Sequence, residues 1–292
     1  MRKTAVIGAA ALDINIQGDQ PISITPDGRM LATAVALARA AQPVTFVSEA
    51  ARDRVGDIIV DNLARAGVDT RCIDRYAGGH TPVNLRFAPD ATHPEGDAVR
   101  YRAYPEENFD AVWPRVDADD IVVFGDYFAV APRNSRFIRE FITSCRQRRC
   151  ITLYAPGFNV HAGKQLTPVK PALLDNLEWA DITVATADEV EVLFGTRNLA
   201  EAYRDSISFY CPDFIGLSAD SGLATLTYFS KGHAIQEPLA DESMVTTAPG
   251  NASVIAAVVS GIIAAGVGCA DFRAGLNDDM RLSILGNINP QS

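Results

Sequence analysis

The chain has 292 residues, with 26 basic and 36 acidic side chains and a net charge of −10. A negative charge of this size argues against nucleic acid and anionic membranes as general partners, since both are polyanions. The five cysteines are widely spaced without a C-x-x-C pair and the four histidines are scattered, which favours reduced packing thiols and predicts no metal site.

The N-terminus carries Arg2 and Lys3, followed by an apolar stretch that Asp13 interrupts. This stretch is too short for a signal peptide. The longest apolar run, 254–267, is shorter than a membrane span needs and predicts a buried helix. We therefore expect a cytoplasmic protein.

Apolar segments rich in β-forming residues alternate with helix-like segments along the chain. Strands are predicted over 5–9, 44–48, 121–125, 150–154, 182–185 and 214–217. Helices are predicted over 31–41, 57–66, 135–147, 173–178 and 188–194. The strands are continuously apolar, which indicates burial on both faces of a parallel sheet between helix layers. The alternation predicts one doubly wound α/β domain over residues 1–292.

Two segments, at about 14–25 and about 80–105, break this alternation. Apolar and polar residues take turns there, as at Val83, Leu85 and Phe87. This pattern is typical of antiparallel strands with one solvated face. The two segments are predicted to form one small β-sheet inserted into the main domain.

The stretch from 245 to 251 has the outline of an anion-binding loop that leads into a helix. Small residues make the turn, Asn251 stands where an N-cap is expected, and an apolar run follows. Helix N-termini with exposed N–H groups bind phosphate. However, Pro249 has no N–H to donate, and the Asn251 amide cannot take up a proton as a carboxylate does. The loop has the outline of a phosphoryl-transfer loop that lacks a backbone donor and a carboxylate base.

This loop resembles the Asp-Thr-x-Gly-Ala-Gly-Asp signature of the PfkB (ribokinase-like) carbohydrate kinases. In that family, the last Asp is the base that deprotonates the sugar hydroxyl, and the Gly-Ala-Gly backbone forms the anion hole. The resemblance places Asn251 at the base position and Ala248, Pro249 and Gly250 at the anion hole. Only Thr246 and Gly250 keep the residues of the signature.

Other segments resemble the same family in the same order. Residues 4–13 resemble its first strand and sugar-binding Asp, and 27–41 resemble the Gly-Gly-x-x-x-Asn-x-Ala signature and its helix. Residues 46–57 resemble the next strand with its D-x-x-G turn, and 187–195 lie on the Asn-x-x-Glu motif, with Glu189 as the Glu. The resemblance implies a ribokinase-like fold whose small sheet is a lid over the sugar and often pairs with a second subunit.

Several substrate-binding positions follow from the resemblance. Asp13, expected at the carboxyl end of the first strand, matches the sugar-hydroxyl acceptor, and the alternative is a turn aspartate. Asp27 replaces the first glycine of the signature, while Gly28 still allows close backbone approach. Ala32 falls where the family has a sugar-binding Asn, so that contact is absent. Arg29 is either a solvated side chain or an anion contact.

The nucleotide half of the site is altered in the same way. Glu189, which in the family organises water and Mg²⁺, is retained, although a solvated or capping role is the alternative. Thr186 replaces the Asn of that motif, and Gly222 is the one match to the nucleotide motif Thr-Leu-Gly-x-x-Gly. The family's Asp, Asn and Arg positions near the phosphates hold Ala155, Gly157 and Asn159. The resemblance implies ATP and Mg²⁺ as cofactors of the fold.

These substitutions predict a PfkB-type fold that has lost or nearly lost kinase activity. Such a pseudokinase would act by binding a sugar or nucleoside, or as the non-catalytic partner of an active relative. The first alternative is a working ATP-dependent sugar kinase in which Glu189, Asp188 or Asp13 replaces the base. The second is an interaction protein that uses the lid for a homodimer. The residues do not identify the sugar.

Overall fold

A computed structural model describes residues 1–94, 96–103, 109–158 and 163–288 of the chain. The strands in chain order are β1 Thr4–Ile7, β2 Ala11–Gln17, β3 Gln20–Asp27, β4 Val44–Ala51, β5 Ile73–Tyr76, β6 His80–Phe87, β7 Asp97–Ala103, β8 Ile121–Gly125, β9 Ile151–Ala155, β10 Ile182–Thr186, β11 Asp213–Asp220, β12 Leu223–Ser230 and β13 His233–Pro238. The helices are α1 Arg29–Arg39, α2 Arg54–Arg65, α3 Asp126–Val130, α4 Ser135–Gln147, α5 Gly163–Trp179, α6 Ala187–Phe194, α7 Leu199–Asp205, α8 Ser243–Thr246, α9 Ala248–Ala264, α10 Cys269–Ala274 and α11 Asp278–Leu285.

The larger sheet has nine strands within the described ranges, in the order β13-β12-β11-β10-β9-β8-β1-β4-β5. The strands from β11 through to β5 pair in parallel, and only the β11–β12 and β12–β13 pairs are antiparallel. In β1, Val6 packs into one core, whereas Ala5 and Ile7 pack into the other. Successive side chains of a strand point to opposite faces, so continuous apolar strands bury both faces of the sheet. The prediction of a doubly wound, mostly parallel sheet is confirmed.

The predicted strands and helices of the larger sheet are present, with shifted bounds. The helix predicted over 173–178 is the last part of α5, whose Pro168 and Pro171 obscured its first turns in the sequence. The helix predicted from 57 begins at Arg54, since Asp53 accepts a hydrogen bond from the Gly56 N–H and caps it. Strands β12 and β13, at one side of the sheet, were not predicted, because they follow β11 through hairpins rather than through helix crossovers.

The second sheet, which we call the lid, has the strand order β3-β2-β6-β7. Strands β2 and β3 pair antiparallel, as do β6 and β7, as predicted. The antiparallel prediction is wrong for the centre of the sheet, where β2 and β6 run parallel. A parallel pair arises because the chain crosses through α1, β4 and α2 between these two strands. Residues 104 and 105 of the predicted lid segment lie outside the described residues.

Composition and hydropathy lead to two further predictions, that the 254–267 run does not span a membrane and that the cysteines are reduced thiols. In the part of the chain that the structure describes, no helix is both long and apolar enough to cross a bilayer. The five cysteines are buried and unpaired. Their role in the fold is therefore packing, as their spacing indicated.

Candidate functional site

Strands β1, β8, β9 and β10 are neighbours in the larger sheet, and helix α1 begins beside their carboxyl ends. Two glycines allow this approach. A Cβ on Gly8 would lie 2.3 Å from the Met30 Cβ, and a Cβ on Gly28 would lie 2.4 Å from the Ala9 carbonyl oxygen. Gly28 also has a φ of 146°, which side chains disfavour. The close approach at Gly28 serves the packing of α1 onto the sheet end, where α/β proteins bind ligands, and the role of Gly28 in substrate binding stays a prediction.

Arg29, the first residue of α1, points into these strand ends and is 8% exposed. Its Nε donates to Asp126 Oδ1 at 3.1 Å, its Nη1 to Glu189 Oε1 at 2.8 Å and its Nη2 to the Ala155 carbonyl at 2.7 Å. One guanidinium thus joins the ends of β8, β9 and β10. The prediction of a solvated Arg29 is wrong, and the anions that it contacts are side chains of the same molecule. We call Arg29, Asp126, Ala155 and Glu189 the strand-end cluster.

Glu189 is held in place by a capping box at the start of α6. The Glu189 N–H donates to Thr186 Oγ1 at 3.2 Å, and the Thr186 N–H donates to Glu189 Oε2 at 3.0 Å. The residue is 6% exposed, and both of its carboxylate oxygens accept a hydrogen bond. Its capping role is therefore established, while the solvated alternative is wrong.

Asp126 is the acidic member of the cluster that the sequence analysis missed. It follows β8 directly with a φ of 58°, a left-handed conformation that is costly for a residue with a side chain. Its carboxylate accepts from Arg29 Nε, and the nearby Met30 N–H lowers the pKa of the carboxyl against the effect of burial. A Cβ on Gly157 would lie 2.3 Å from Asp126 Oδ1 and 2.6 Å from Arg29 Nη2, so a glycine is required there. A carboxylate directly after a buried strand was the available signal, the same one that drew attention to Asp13.

The cluster places one cation against the buried Glu189 carboxylate and the Asp126 carboxylate, whose side chain is 17% exposed. Burial raises the pKa of Glu189 and of Asp126, and the Arg29 charge opposes this rise. Burial lowers the pKa of Arg29, but the two carboxylates more than offset it and raise that pKa above its ordinary value. Arg29 is therefore a permanent positive charge, and the two carboxylates depend on it for compensation.

The loop before α9 differs from its prediction. Helix α9 begins at Ala248, and its N-cap is Thr247, whose Oγ1 accepts from the Gly250 N–H at 3.0 Å. The prediction of Asn251 as the N-cap is wrong, because Asn251 is the fourth residue of the helix. Asn251 is 6% exposed, and its Nδ2 donates to three carbonyl oxygens. These belong to Met244 at 3.1 Å, Val245 at 2.7 Å and Thr247 at 3.0 Å.

The residues at the anion-hole positions form the first turn of α9. Of their N–H groups, that of Gly250 is bonded to Thr247, and Pro249 has none. A Cβ on Gly250 would lie 1.9 Å from the Ser243 carbonyl oxygen, so glycine is required for α8 to pack on α9. For the Ala248 N–H, no hydrogen bond to another described residue is found, so this group can meet an anion. Binding of an anion by this loop stays a prediction.

Asp13 belongs to a second group of charged residues, which lies on the lid. Strand β1 ends at Ile7, and Asp13 is inside β2, so the expectation that it ends the first strand is wrong, as is the turn alternative. The side chain is buried, and its Oδ1 accepts from Asn84 Nδ2 at 2.5 Å. Its Oδ2 accepts from Arg86, which also reaches Asp27 Oδ2 at 3.2 Å. Asp13 is therefore bound by two lid side chains that the sequence analysis did not select.

Comparison with known proteins decides the family. A model described as pfkB family carbohydrate kinase matches residues 1–207. The chain belongs to the PfkB family of carbohydrate kinases. The match ends before the 245–251 loop, so the altered loop of this PfkB chain lies outside the matched range. No curated protein matches the chain by sequence.

Solved structures of kinases share the fold of this PfkB chain. The fructokinase from Xylella fastidiosa is 18% identical with a TM-score of 0.76, covering 98% of this chain and 90% of that one. The aminoimidazole riboside kinase from Salmonella enterica, complexed with aminoimidazole riboside and an ATP analog, is 16% identical, with a TM-score of 0.73 and coverages of 99% and 91%. The fructokinase from Vibrio cholerae O395 in fructose, ADP and calcium ion bound form is 15% identical, with a TM-score of 0.73 and coverages of 99% and 90%. At these identities the likeness shows the ribokinase-like fold.

Two further positions of the PfkB signatures have local explanations. Gly222 and Ser221 form the two-residue turn between β11 and β12, with φ values of 81° and 54°. Positive φ at both positions is the requirement of a type I′ hairpin, so the turn alone accounts for the glycine. Ala32 donates its N–H to the Gly28 carbonyl at 2.8 Å in the first turn of α1, and its methyl group offers no hydrogen bond to a ligand. Asn159 lies outside the described residues.

The PfkB cofactors can be tested against these residues. Mg²⁺ takes oxygen ligands in a strict octahedral arrangement, but both Glu189 oxygens already accept hydrogen bonds and Arg29 lies between Glu189 and Asp126. Among the described residues, no group of three or more His, Cys, Asp or Glu is arranged to hold a metal. Mg²⁺ therefore does not fit this cluster unless Arg29 leaves it, and a nucleotide would meet a loop in which Pro249 has no N–H to donate.

The structure brings the predicted residues into separate groups. Glu189, Thr186 and Ala155 meet at the strand-end cluster, and Asp13 lies on the lid with Asp27, on the other side of Gly28 from Arg29. Between described residues, no hydrogen bond or ion pair links Asn251 or Gly222 to either group. The charged residues Arg29 and Arg86, each bound to two carboxylates, are the connections that local sequence signals did not reveal.

Proposed function

We propose that this PfkB chain is a pseudokinase, which binds a sugar or nucleoside without transferring phosphate to it. The observation that carries the proposal is the buried Arg29 guanidinium, bonded to Glu189 and Asp126. In kinases of this family, a Glu at the position of Glu189 organises water and Mg²⁺. Here that carboxylate compensates an internal cation, and it would have to release Arg29 before it could serve a metal.

The altered loop supports the same proposal. Asn251 occupies the position of the base. Its Nδ2 donates hydrogen bonds to three carbonyls, and its amide cannot take up a proton as a carboxylate does. Loss of general-base catalysis costs about 10²- to 10⁴-fold in rate. Loss of an anion-hole donor costs about 10²- to 10³-fold, although the two effects need not add. Phosphoryl transfer depends almost entirely on positioning and charge stabilisation, so both losses act on the main source of catalysis.

Binding remains chemically reasonable on the lid side of Gly28. Asp27 is 30% exposed on its side chain, and its carboxylate can accept a hydrogen bond from a ligand hydroxyl. Asp13 lies beside it, shielded from solvent by Asn84 and Arg86. Hydroxyl recognition by carboxylates needs neither a metal nor a base, and it therefore persists when catalysis is lost.

The test of this proposal is titration calorimetry of ATP–Mg²⁺, from micromolar to millimolar nucleotide, together with an ADP assay over a panel of sugars and nucleosides. We expect no nucleotide-dependent heat and no ADP above background. A sugar or nucleoside should still raise the melting temperature, since a ligand that binds the folded state stabilises it. A working fructokinase assayed in parallel is the positive control. Sustained, sugar-dependent ADP formation would contradict the proposal and favour a kinase with an unusual base.

The outer face of the lid supports a second proposal, a homodimer. Strand register places Ile24, Ile14, Leu85 and Val99 in one row of this face. Its large apolar side chains include Ile24 and Tyr101, which are 58% and 59% exposed. The opposite face holds the buried Asp13, so the lid is polar towards the body and apolar towards solvent. An exposed apolar face of this kind marks an interaction surface, and we infer that a second copy of the chain covers it.

Light scattering of the purified chain at micromolar concentration tests the dimer. We expect the mass of two chains for the wild type and of one chain for Ile24→Asp, because a carboxylate would be buried in the interface. Ile58→Asp is the matched control, since Ile58 is a comparably exposed isoleucine, 42%, on helix α2. A wild-type mass of one chain would overturn this proposal.

A further inference from the structure

The inner face of the lid carries a row of polar residues across all four strands. The register pairs Thr25 with Asp13, Asp13 with Asn84, and Asn84 with Arg100. Because side chains two positions apart on a strand share a face, Arg102 lies on this face beside Arg100. By the same rule Asp27 lies beside Thr25, and Arg86 beside Asn84. We call this surface the inner face of the lid.

The charges on the inner face are not balanced. Arg86 is bonded to both Asp13 and Asp27, so one cation serves the two carboxylates. Arg100 and Arg102 are exposed, and no ion pair or hydrogen bond joins either guanidinium group to another described residue. Partial burial lowers the pKa of Arg100, and the positive charges of Arg102 and Arg86 lower it further. Three arginines thus crowd one surface of a chain whose net charge is −10.

Each kind of charge on this face suits a different ligand group. Guanidinium groups bind carboxylate and phosphate through paired N–H donors. An anion bound between two adjacent arginines also reduces the repulsion between their positive charges. Carboxylates instead accept hydrogen bonds from hydroxyls and repel anions. A neutral sugar would leave Arg100 and Arg102 without an anionic ligand group, while an inorganic anion alone would bring no hydroxyl to Asp27, whose one side-chain donor among the described residues is then Arg86.

We propose that the inner face of the lid binds a polyhydroxylated small molecule bearing one anionic group, a carboxylate or a phosphate. The anionic group lies on Arg100 and Arg102, and the hydroxyls donate to Asp27 and its neighbour Asp13. This inference rests on the proposed binding function and names the chemical class of its ligand. It requires no catalytic step.

The experiment compares two pairs of probes by titration calorimetry: D-gluconate with sorbitol, and D-fructose 6-phosphate with D-fructose. We expect at least one anionic probe to bind about tenfold or more tightly than its neutral counterpart, the effect of a charge-assisted hydrogen-bonded pair. The pair that shows the larger preference for its anionic member indicates whether the ligand carries a carboxylate or a phosphate. Arg100→Ala/Arg102→Ala should abolish the preference and leave the affinity for the neutral probe unchanged.

Arg54→Ala/Arg136→Ala is the matched control, since it removes the same charge at side chains that are 93% and 80% exposed and distant in sequence from the lid. It should keep the preference. Arg100→Gln/Arg102→Gln, which keeps the Cβ–Cγ–Cδ stem and its packing but removes the charge, should behave like the alanine pair. Equal affinities within both probe pairs, failure of both anions to bind, or a preference that survives in the Arg100/Arg102 variants would overturn the inference. ADP formation with ATP present would contradict only the loss of catalysis, because the affinity ratios decide the anion site independently.

Discussion

Replacing Arg29 by alanine should lower the free energy of unfolding by about 3–5 kcal/mol, the usual cost of removing one partner of a buried ion pair. Arg29 is 8% exposed and bonds to Asp126 and Glu189, so its loss leaves the buried Glu189 and the partly buried Asp126 without a cation. It also leaves the Ala155 carbonyl without its side-chain donor. Urea denaturation of the variant and the wild type, followed by circular dichroism, measures the difference.

A neutral version of the cluster separates charge from packing. The combined variant Arg29→Met, Asp126→Asn and Glu189→Gln should be considerably more stable than Arg29→Met alone, since no uncompensated charge stays buried. Arg136→Ala, which removes an exposed arginine, should change stability by less than about 1 kcal/mol. A similarly small loss for Arg29→Ala would show that the buried ion pair is not important for the fold.

The Arg29→Ala variant also tests whether the Arg29 guanidinium occupies a position that a metal ion could take. Millimolar Mg²⁺ should raise the melting temperature of Arg29→Ala but not that of the wild type, because the freed Glu189 and Asp126 oxygens are suitable ligands. Kinase activity should not return, since Asn251 and Pro249 are unchanged. Equal responses of both proteins to Mg²⁺ would contradict the assignment of Arg29 as the internal cation.

Changing Asn251 to aspartate should destabilise the protein by about 4 kcal/mol and should not create a kinase. The Asn251 Nδ2 donates to the carbonyls of Met244, Val245 and Thr247, and an aspartate has no donor to replace it. The substitution would also bury a negative charge against three carbonyl oxygens, at a position that is 6% exposed. Thermal and urea denaturation measure the loss, and an ADP assay with the sugar panel measures activity.

Asn198→Asp is the matched control for this change. Asn198 caps helix α7, where its Oδ1 only accepts, from the N–H groups of Ala200 and Glu201. An aspartate makes the same bonds, so stability should change by less than about 0.5 kcal/mol. A stable Asn251→Asp variant with sugar-dependent ADP formation would mean that the loop needs only its base, and the pseudokinase proposal would fail.

The strands and helices of the larger sheet were predictable because burial on both faces leaves a simple local record. Strand β8, for example, consists of five buried residues, and its prediction over 121–125 coincides with its observed bounds. The two prolines of α5 obscure its first turns, so its N-terminal bound is not predicted. The hairpin strands β12 and β13 have an alternating pattern and are not predicted at all. The direction of the β2–β6 pair was also missed, since strand direction depends on the crossover between them and not on either strand's residues.

The family and the absence of certain chemical groups follow from the residues alone. A missing carboxylate at Asn251 and a missing N–H at Pro249 are properties of the residues, and they hold wherever the side chains lie. The partners of the remaining charges depend on the folded arrangement of the strands. Arg29 meets Asp126 and Glu189 across 97 and 160 residues of sequence, because α1 begins beside the ends of strands that are neighbours only in the folded sheet. Local patterns record burial and periodicity, whereas the partner of a buried charge depends on strand order, which no local pattern contains.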